Sequence, residues 1–302
     1  MDIALFSASS LFAGDLDDFD EEQEKEPEQS YVERKHSFPG MVILFIAMLL
    51  GQSCDGMICL LKIGKKANLK KALFFTPCSL CVLACSQELL IREFSFHQLN
   101  ANLLWPGTFS FAEWLVDHRS MVEGRRCIEL GSGTGALAIF LQKSFHLDVT
   151  TSDYYDDEIE QNIAHNCRVN GVNPVLPHIK HSWGDSFPSV DPSWDLVIAS
   201  DILLYVKQYT NLIKTLSFLL KSYKPNCERA ENELKAETFA GLPKPAFLMS
   251  WRRRIGKEDE SIFFTGCEIA GLEVRHLGNR VYCITPADQH STIKITDTTF
   301  VE

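Results

Sequence analysis

Ile128-Glu129-Leu130-Gly131-Ser132-Gly133-Thr134-Gly135 is the stretch on which the fold of this chain turns. The apolar run Arg125–Leu130 ahead of it is expected to be a short strand, and Ala136–Phe145 behind it an amphipathic helix. Glycines at such a turn let the backbone approach a ligand and take positive φ. The helix N-terminus beyond presents unpaired N–H groups. A bare G-x-G-x-G is weak evidence, because any tight strand-to-helix turn can use glycine. Asp153 strengthens it: this acid falls 22 residues after Gly131, at the end of the next apolar strand, 147–153. An acid there can accept hydrogen bonds from both hydroxyls of a ribose.

Outward from this turn, strands and helices alternate. Toward the N-terminus, 89–96 reads as a strand and 109–118 as a helix. Toward the C-terminus come a helix over 157–171 closed by Gly171, a strand near 175–183 and a strand at 195–200. A helix over 207–223, a strand at 246–251 and a helix over 257–270 follow. Strands 272–277 and 280–285 meet at Gly278-Asn279, a hairpin signal. The alternation predicts an α/β, Rossmann-like fold: a seven-stranded, mostly parallel sheet with helices on both faces and a C-terminal antiparallel hairpin.

The ligand class follows from charge and spacing. A dinucleotide needs its pyrophosphate on the helix N-terminus, usually under G-x-G-x-x-G. Here the glycines run G-x-G-x-G, and the acid Glu129 precedes them by two positions. That acid repels a pyrophosphate. It suits S-adenosyl-L-methionine, which carries an ammonium and a sulfonium but no phosphate. A nicotinamide-dependent oxidoreductase is accordingly the weakest alternative.

IELGSGTG, then TSD, HSWGD and DLVIASDILLY together resemble the seven-β-strand methyltransferases of the protein-lysine group, methyltransferase family 16. LLWPGTFSFAEWL (103–115) looks like that family's cofactor-covering segment, and the resemblance runs from 89 to about 285. It implies that Trp105 lies against the cofactor and that Gly131, Ser132 and Gly133, flanked by Glu129 and Gly135, cradle its methionine part. It further implies that Asp153 holds the ribose, Trp183 flanks the adenine and Ser200 lines the pocket. Asp201 and Tyr205 take the catalytic positions. In the family the aromatic follows the acid by three residues; here it arrives one residue late. If the segment is helical, the two still share a face. A purely structural Asp201, capping the following helix, is the alternative. The implied substrate is a lysine-bearing protein. A small-molecule methyltransferase or a catalytically silent cofactor-binding module would share the same cofactor residues.

Composition bounds the rest. Residues 1–30 hold ten acids against Lys25, so −9 of the net charge of −11 sits there and the body is nearly neutral. No basic stripe speaks for a nucleic acid partner. Residues 1–40 are expected to be an acidic disordered tail. Residues 41–88 form an apolar, cysteine-rich segment with a lysine patch, atypical of the family and readable as an insertion after Phe38-Pro-Gly-Met. Its apolar runs are shorter than the roughly 20 residues that span a bilayer; a membrane-surface hairpin is the rival reading. Cys78-Ser-Leu-Cys81 has metal-ligand spacing but no second pair or His cluster, so no metal is expected. The methyltransferase domain is placed at 89–288, with a tail at 289–302. Ten cysteines without a recognisable export signal read as reduced thiols, which places the protein in cytosol or nucleus.

Overall fold

The structure, a computed structural model, describes residues 30–40, 42–44, 82–84, 86–225 and 242–287. It begins with an antiparallel pair, β1 (Tyr31–Phe38) and β4 (Gln87–Phe94), with the short strands β2 (Val42–Leu44) and β3 (Val82–Ala84) also paired antiparallel. The main body runs α1 (Pro106–Asp117), β5 (Arg126–Leu130), α2 (Ala136–Phe145), β6 (Asp148–Asp153), α3 (Asp157–Val169) and β7 (His178–Lys180). It continues with β8 (Leu196–Ser200), α4 (Tyr209–Lys221), β9 (Ala246–Ser250), α5 (Lys257–Ile269), β10 (Leu272–Gly278) and β11 (Val281–Pro286).

Seven of these strands form one sheet in the order β10-β11-β9-β8-β5-β6-β7, parallel except that β11 runs antiparallel to both neighbours. The central strands are apolar because both faces are covered. Their alternating side chains divide between two cores. Leu196, Ile198, Ala246 and Leu248 face a core shared with α1, α2 and α3. Val197, Ala199, Phe247 and Met249 face the core beneath α4 and α5.

The β1–β4 hairpin is fastened to α3 by amide side chains in place of a further strand. Asn170 Oδ1 accepts from Leu90 N–H at 2.9 Å, and its Nδ2 donates to Leu90 C=O at 2.7 Å. Asn166 repeats the pattern one helical turn earlier, accepting from Arg92 N–H at 2.8 Å and donating to Arg92 C=O at 3.2 Å and Thr134 C=O at 2.9 Å. Asn162 adds a bond to Arg92 C=O at 3.1 Å. Residues four apart on a helix share a face, so the three amides satisfy a strand edge that would otherwise be buried unpaired.

The structure corrects four expectations. Residues 31–38, assigned to the disordered tail, are a strand; its first five side chains are solvent-exposed, so no apolar period marks it, and its partner lies beyond an interruption. The segment readable as an insertion cannot extend to 88, since Gln87 and Glu88 belong to β4 and Gln87 lies opposite Phe38. The C-terminal turn consists of Asn279 and Arg280, one residue later than expected, with left-handed φ of 47° and 61° and Gly278 paired to Val281. The seventh sheet strand is only His178–Lys180, not 175–183. Residues 1–29, the lysine patch and the Cys78/Cys81 pair lie outside the described residues, as do 288–302. Among the described residues no helix is long and apolar enough to cross a membrane.

Candidate functional site

The strand order reverses between β5, which is followed by β6 and β7 on one side, and β8, which continues on the other. Open α/β sheets bind ligands outside the carboxyl ends of the strands at such a switch point. A cavity of about 470 Å³ opens there, within the range of small-molecule sites. Glu129, Gly131, Ser132, Gly133, Asp153 and Trp183 line it, as do Trp105, Ser200, Asp201 and Tyr205. Gly135 does not. It caps α2 with φ 73°, and a Cβ there would meet Ile163 Cγ2 at 3.0 Å, so this glycine lets α2 and α3 pack closely.

The glycine turn is shaped for close approach. Gly131 and Gly133 have φ of 65° and 51°, and a Cβ on Gly131 would meet Ile202 Cγ2 at 2.9 Å. Asp153 is buried at the end of β6; Oδ2 accepts from Gly133 N–H at 2.6 Å and Oδ1 from Tyr154 N–H at 2.7 Å. A carboxylate oxygen has two lone pairs, so each retains acceptor capacity. Burial raises the Asp153 pKa, and the two backbone N–H groups oppose the shift. Glu129 is 2% exposed, and its Oε2 is buried in the cavity wall without a hydrogen-bond partner. Burial, reinforced by the charge of Asp153, pushes its carboxyl up to about 8. A buried acceptor left unpaired costs about 1–3 kcal/mol. A cationic donor placed in the cavity removes that cost, so the donor set fits the ammonium end of S-adenosylmethionine.

Asp201 and Tyr205 are not arranged as expected. The stretch between them is a turn, not a helix, and Asp201 has φ 55°. Its carboxylate accepts from Gly107 N–H and Arg252 N–H, both at 2.7 Å, and pairs with Arg254 at 3.2 Å. Asp201 does cap a helix, but it is α1, 94 residues upstream, rather than the one that follows. The fit is close: a Cβ on Gly107 would lie 2.5 Å from the Asp201 carboxyl carbon. Tyr205 Oη accepts from Asn100 Nδ2, and Asn100 C=O in turn accepts from Trp105 Nε1–H at 2.9 Å. Ser200 shares a hydrogen bond with Thr108 at 2.9 Å, which ties the end of β8 to α1.

Three residues of the site escaped the sequence reading. Asn100 joins Trp105 to Tyr205, and its φ of 57° is a conformation asparagine tolerates. His181 lines the cavity with Nδ1 buried and unpartnered, and burial lowers its pKa. It stands inside the quoted HSWGD motif, where its position alone was a signal. Arg254 packs over the Trp105 ring at 4.1 Å. The run Arg252-Arg253-Arg254 directly after an apolar strand could have marked it.

Comparison with known proteins bears on this arrangement. Residues 85–231 match the family model described as lysine methyltransferase. The chain is 26% identical over 152 residues to the protein N-terminal and lysine N-methyltransferase efm7 of Aspergillus fumigatus, covering 46% of this chain and 58% of that protein. It is 28% identical over 113 residues to the electron transfer flavoprotein beta subunit lysine methyltransferase of Mus musculus, covering 35% of this chain and 44% of that protein. The chain spans about half the length of the curated relatives it matches. Among solved structures, a SAM dependent methyltransferase from Aquifex aeolicus superposes with a TM-score of 0.39 at 15% identity, over 57% of this chain and 86% of that one.

Proposed function

We propose that this chain is an S-adenosylmethionine-dependent methyltransferase that modifies amines of a protein, chiefly lysine side chains. The observation that carries the reading is the pair of buried carboxylates in the switch-point cavity. Glu129 offers an unpartnered acceptor for a cation, and Asp153 holds spare acceptor capacity on a strand end. The family match supports the lysine assignment, and so do relatives named for lysine and N-terminal methylation. Four free, buried cysteines among the described residues are consistent with the reducing cytosol or nucleus proposed for it.

Bound in the cavity, S-adenosylmethionine supplies a sulfonium methyl group that an uncharged amine takes by in-line displacement, leaving a neutral thioether. The residues of this chain act around that event. Glu129 and the glycine turn hold the methionine end and Asp153 the ribose, while Trp105 and Trp183 exclude water. Orientation of reactants in a dry site contributes about 7–11 kcal/mol to such reactions. An amine must arrive deprotonated, from a reference pKa near 10.4 for lysine. The Asp201 carboxylate accepts from Gly107 and Arg254 through Oδ2 and from Arg252 through Oδ1. These contacts assign it to positioning the loop after β8, and the amine proton leaves for solvent. The same engagement favours a second reading, a cofactor-binding module without turnover.

Calorimetry with S-adenosylmethionine tests the cofactor, with Asp153→Ala expected to abolish binding in a folded protein. Methyl transfer to lysines of a cell extract, read by mass spectrometry, separates the enzyme from the silent module. Unchanged affinity in Asp153→Ala would falsify the site.

A further inference from the structure

The end of β9 and the segment that covers the cavity meet through one side chain. Arg254 follows β9 by four residues; its guanidinium lies over the Trp105 ring at 4.1 Å and pairs with Asp201 Oδ2 at 3.2 Å. Its side chain is 27% exposed and that of Asp201 2%, so the Asp201 end of the ion pair is buried while Arg254 reaches it from the surface. Trp105 is also held through Nε1–H by Asn100, whose side chain reaches Tyr205. The backbone around Asn100 is itself ordered on His97: Leu99 N–H and Ala101 N–H donate to His97 Nδ1 at 3.1 and 3.4 Å, and Asn100 N–H to His97 C=O at 2.9 Å. The covering segment, the loop after β8 and the end of β9 thus form one linked rim.

We propose that Arg254 is a positioning residue that latches Trp105 over the cavity, so that a bound ligand leaves only when the Arg254–Trp105–Asp201 contact opens. The cofactor half of this inference rests on the reading of the cavity as an S-adenosylmethionine site. The latch itself does not, because its contacts run between side chains of the protein. A cation over an indole is worth roughly 0.5–2 kcal/mol depending on desolvation, equivalent to about two- to thirty-fold in a rate or population.

Hydrogen exchange of residues 97–108 in ligand-free full-length protein is the primary measurement, with S-adenosylmethionine dissociation rates alongside. Arg254→Met, of unchanged melting temperature, should speed exchange at Leu99, Asn100 and Ala101 and ligand release, each roughly two- to thirty-fold. Trp105→Leu should do the same, and the double variant should be no faster than Trp105→Leu alone. Arg254→Lys, which keeps the ion pair but loses the planar stack, should fall between. It also carries the test if Arg254→Met does not fold. A folded Arg254 variant with unaltered exchange and release overturns the latch, as do effects additive with those of Trp105→Leu. If the wild-type chain binds no S-adenosylmethionine, the proposed function fails, while the exchange data still decide the latch.

Discussion

Replacing Glu129 by glutamine should remove a pH dependence that the wild-type chain shows in cofactor binding. Burial holds this carboxyl up to about 8, so in the ligand-free protein it is mostly protonated at neutral pH. An ammonium ligand pairs with the ionised form. The ionised fraction rises from about 1 in 100 at pH 6 to about 1 in 11 at pH 7. Apparent affinity scales with the competent fraction, so the dissociation constant should fall about nine-fold over that interval. The window closes above about pH 7.7, where an α-amino group has itself lost half of its protons. At pH 7, binding should release more than half a proton per ligand, measurable by calorimetry in two buffers of different ionisation enthalpy. Glu129→Gln should bind more weakly at pH 7, with affinity constant within two-fold between pH 6 and 7. Stability of the ligand-free chain should show the opposite trend. The folded carboxyl holds its proton to a higher pH than the unfolded one, so stability declines between about pH 4.5 and 8. A flat wild-type profile, or an equal slope in Glu129→Gln, would refute the assignment of the ammonium to this carboxylate.

Other perturbations follow from the same structure. Gly107→Ala places a Cβ 2.5 Å from the Asp201 carboxyl carbon, which should cost about 1–3 kcal/mol of stability; a melting temperature within a degree of wild type would contradict that fit. Asn166→Ala leaves Arg92 and Thr134 short of hydrogen bonds, and urea denaturation should show a loss of about 2–4 kcal/mol. An m-value unchanged and a loss below about 0.5 kcal/mol would mean that water replaces the amide. Because Phe38 and Gln87 face each other, residues 41–85 are proposed to be an insertion. Replacing them with a short turn should leave folding and S-adenosylmethionine binding intact. The hairpin tip lies by Ser144 near the end of α2, whereas the cavity lies at that helix's start. An unfolded deletion variant would show instead that the segment is part of the domain.

The order of strands and helices, the glycine turn and the acid at the end of β6 were legible in the sequence because each rests on local physics. A period of 2 or 3.6, a glycine where φ is positive and an acid at a strand end all involve neighbours within a few residues. Strand β1 was not legible. Tyr31–Lys35 are exposed, and what makes them a strand is pairing with residues beyond a long interruption. The asparagines of α3 looked like ordinary polar positions until the hairpin edge appeared opposite them. Asp201 shows the limit most directly. Its place after β8 suggested chemistry, yet its partners come from Gly107, Arg252 and Arg254, which only the closed fold brings to it. Sequence alone determined where a ligand-binding turn stands. Which carboxylates remain free to act there was decided by tertiary structure, because a hydrogen bond depends on distance in space and not on separation along the chain.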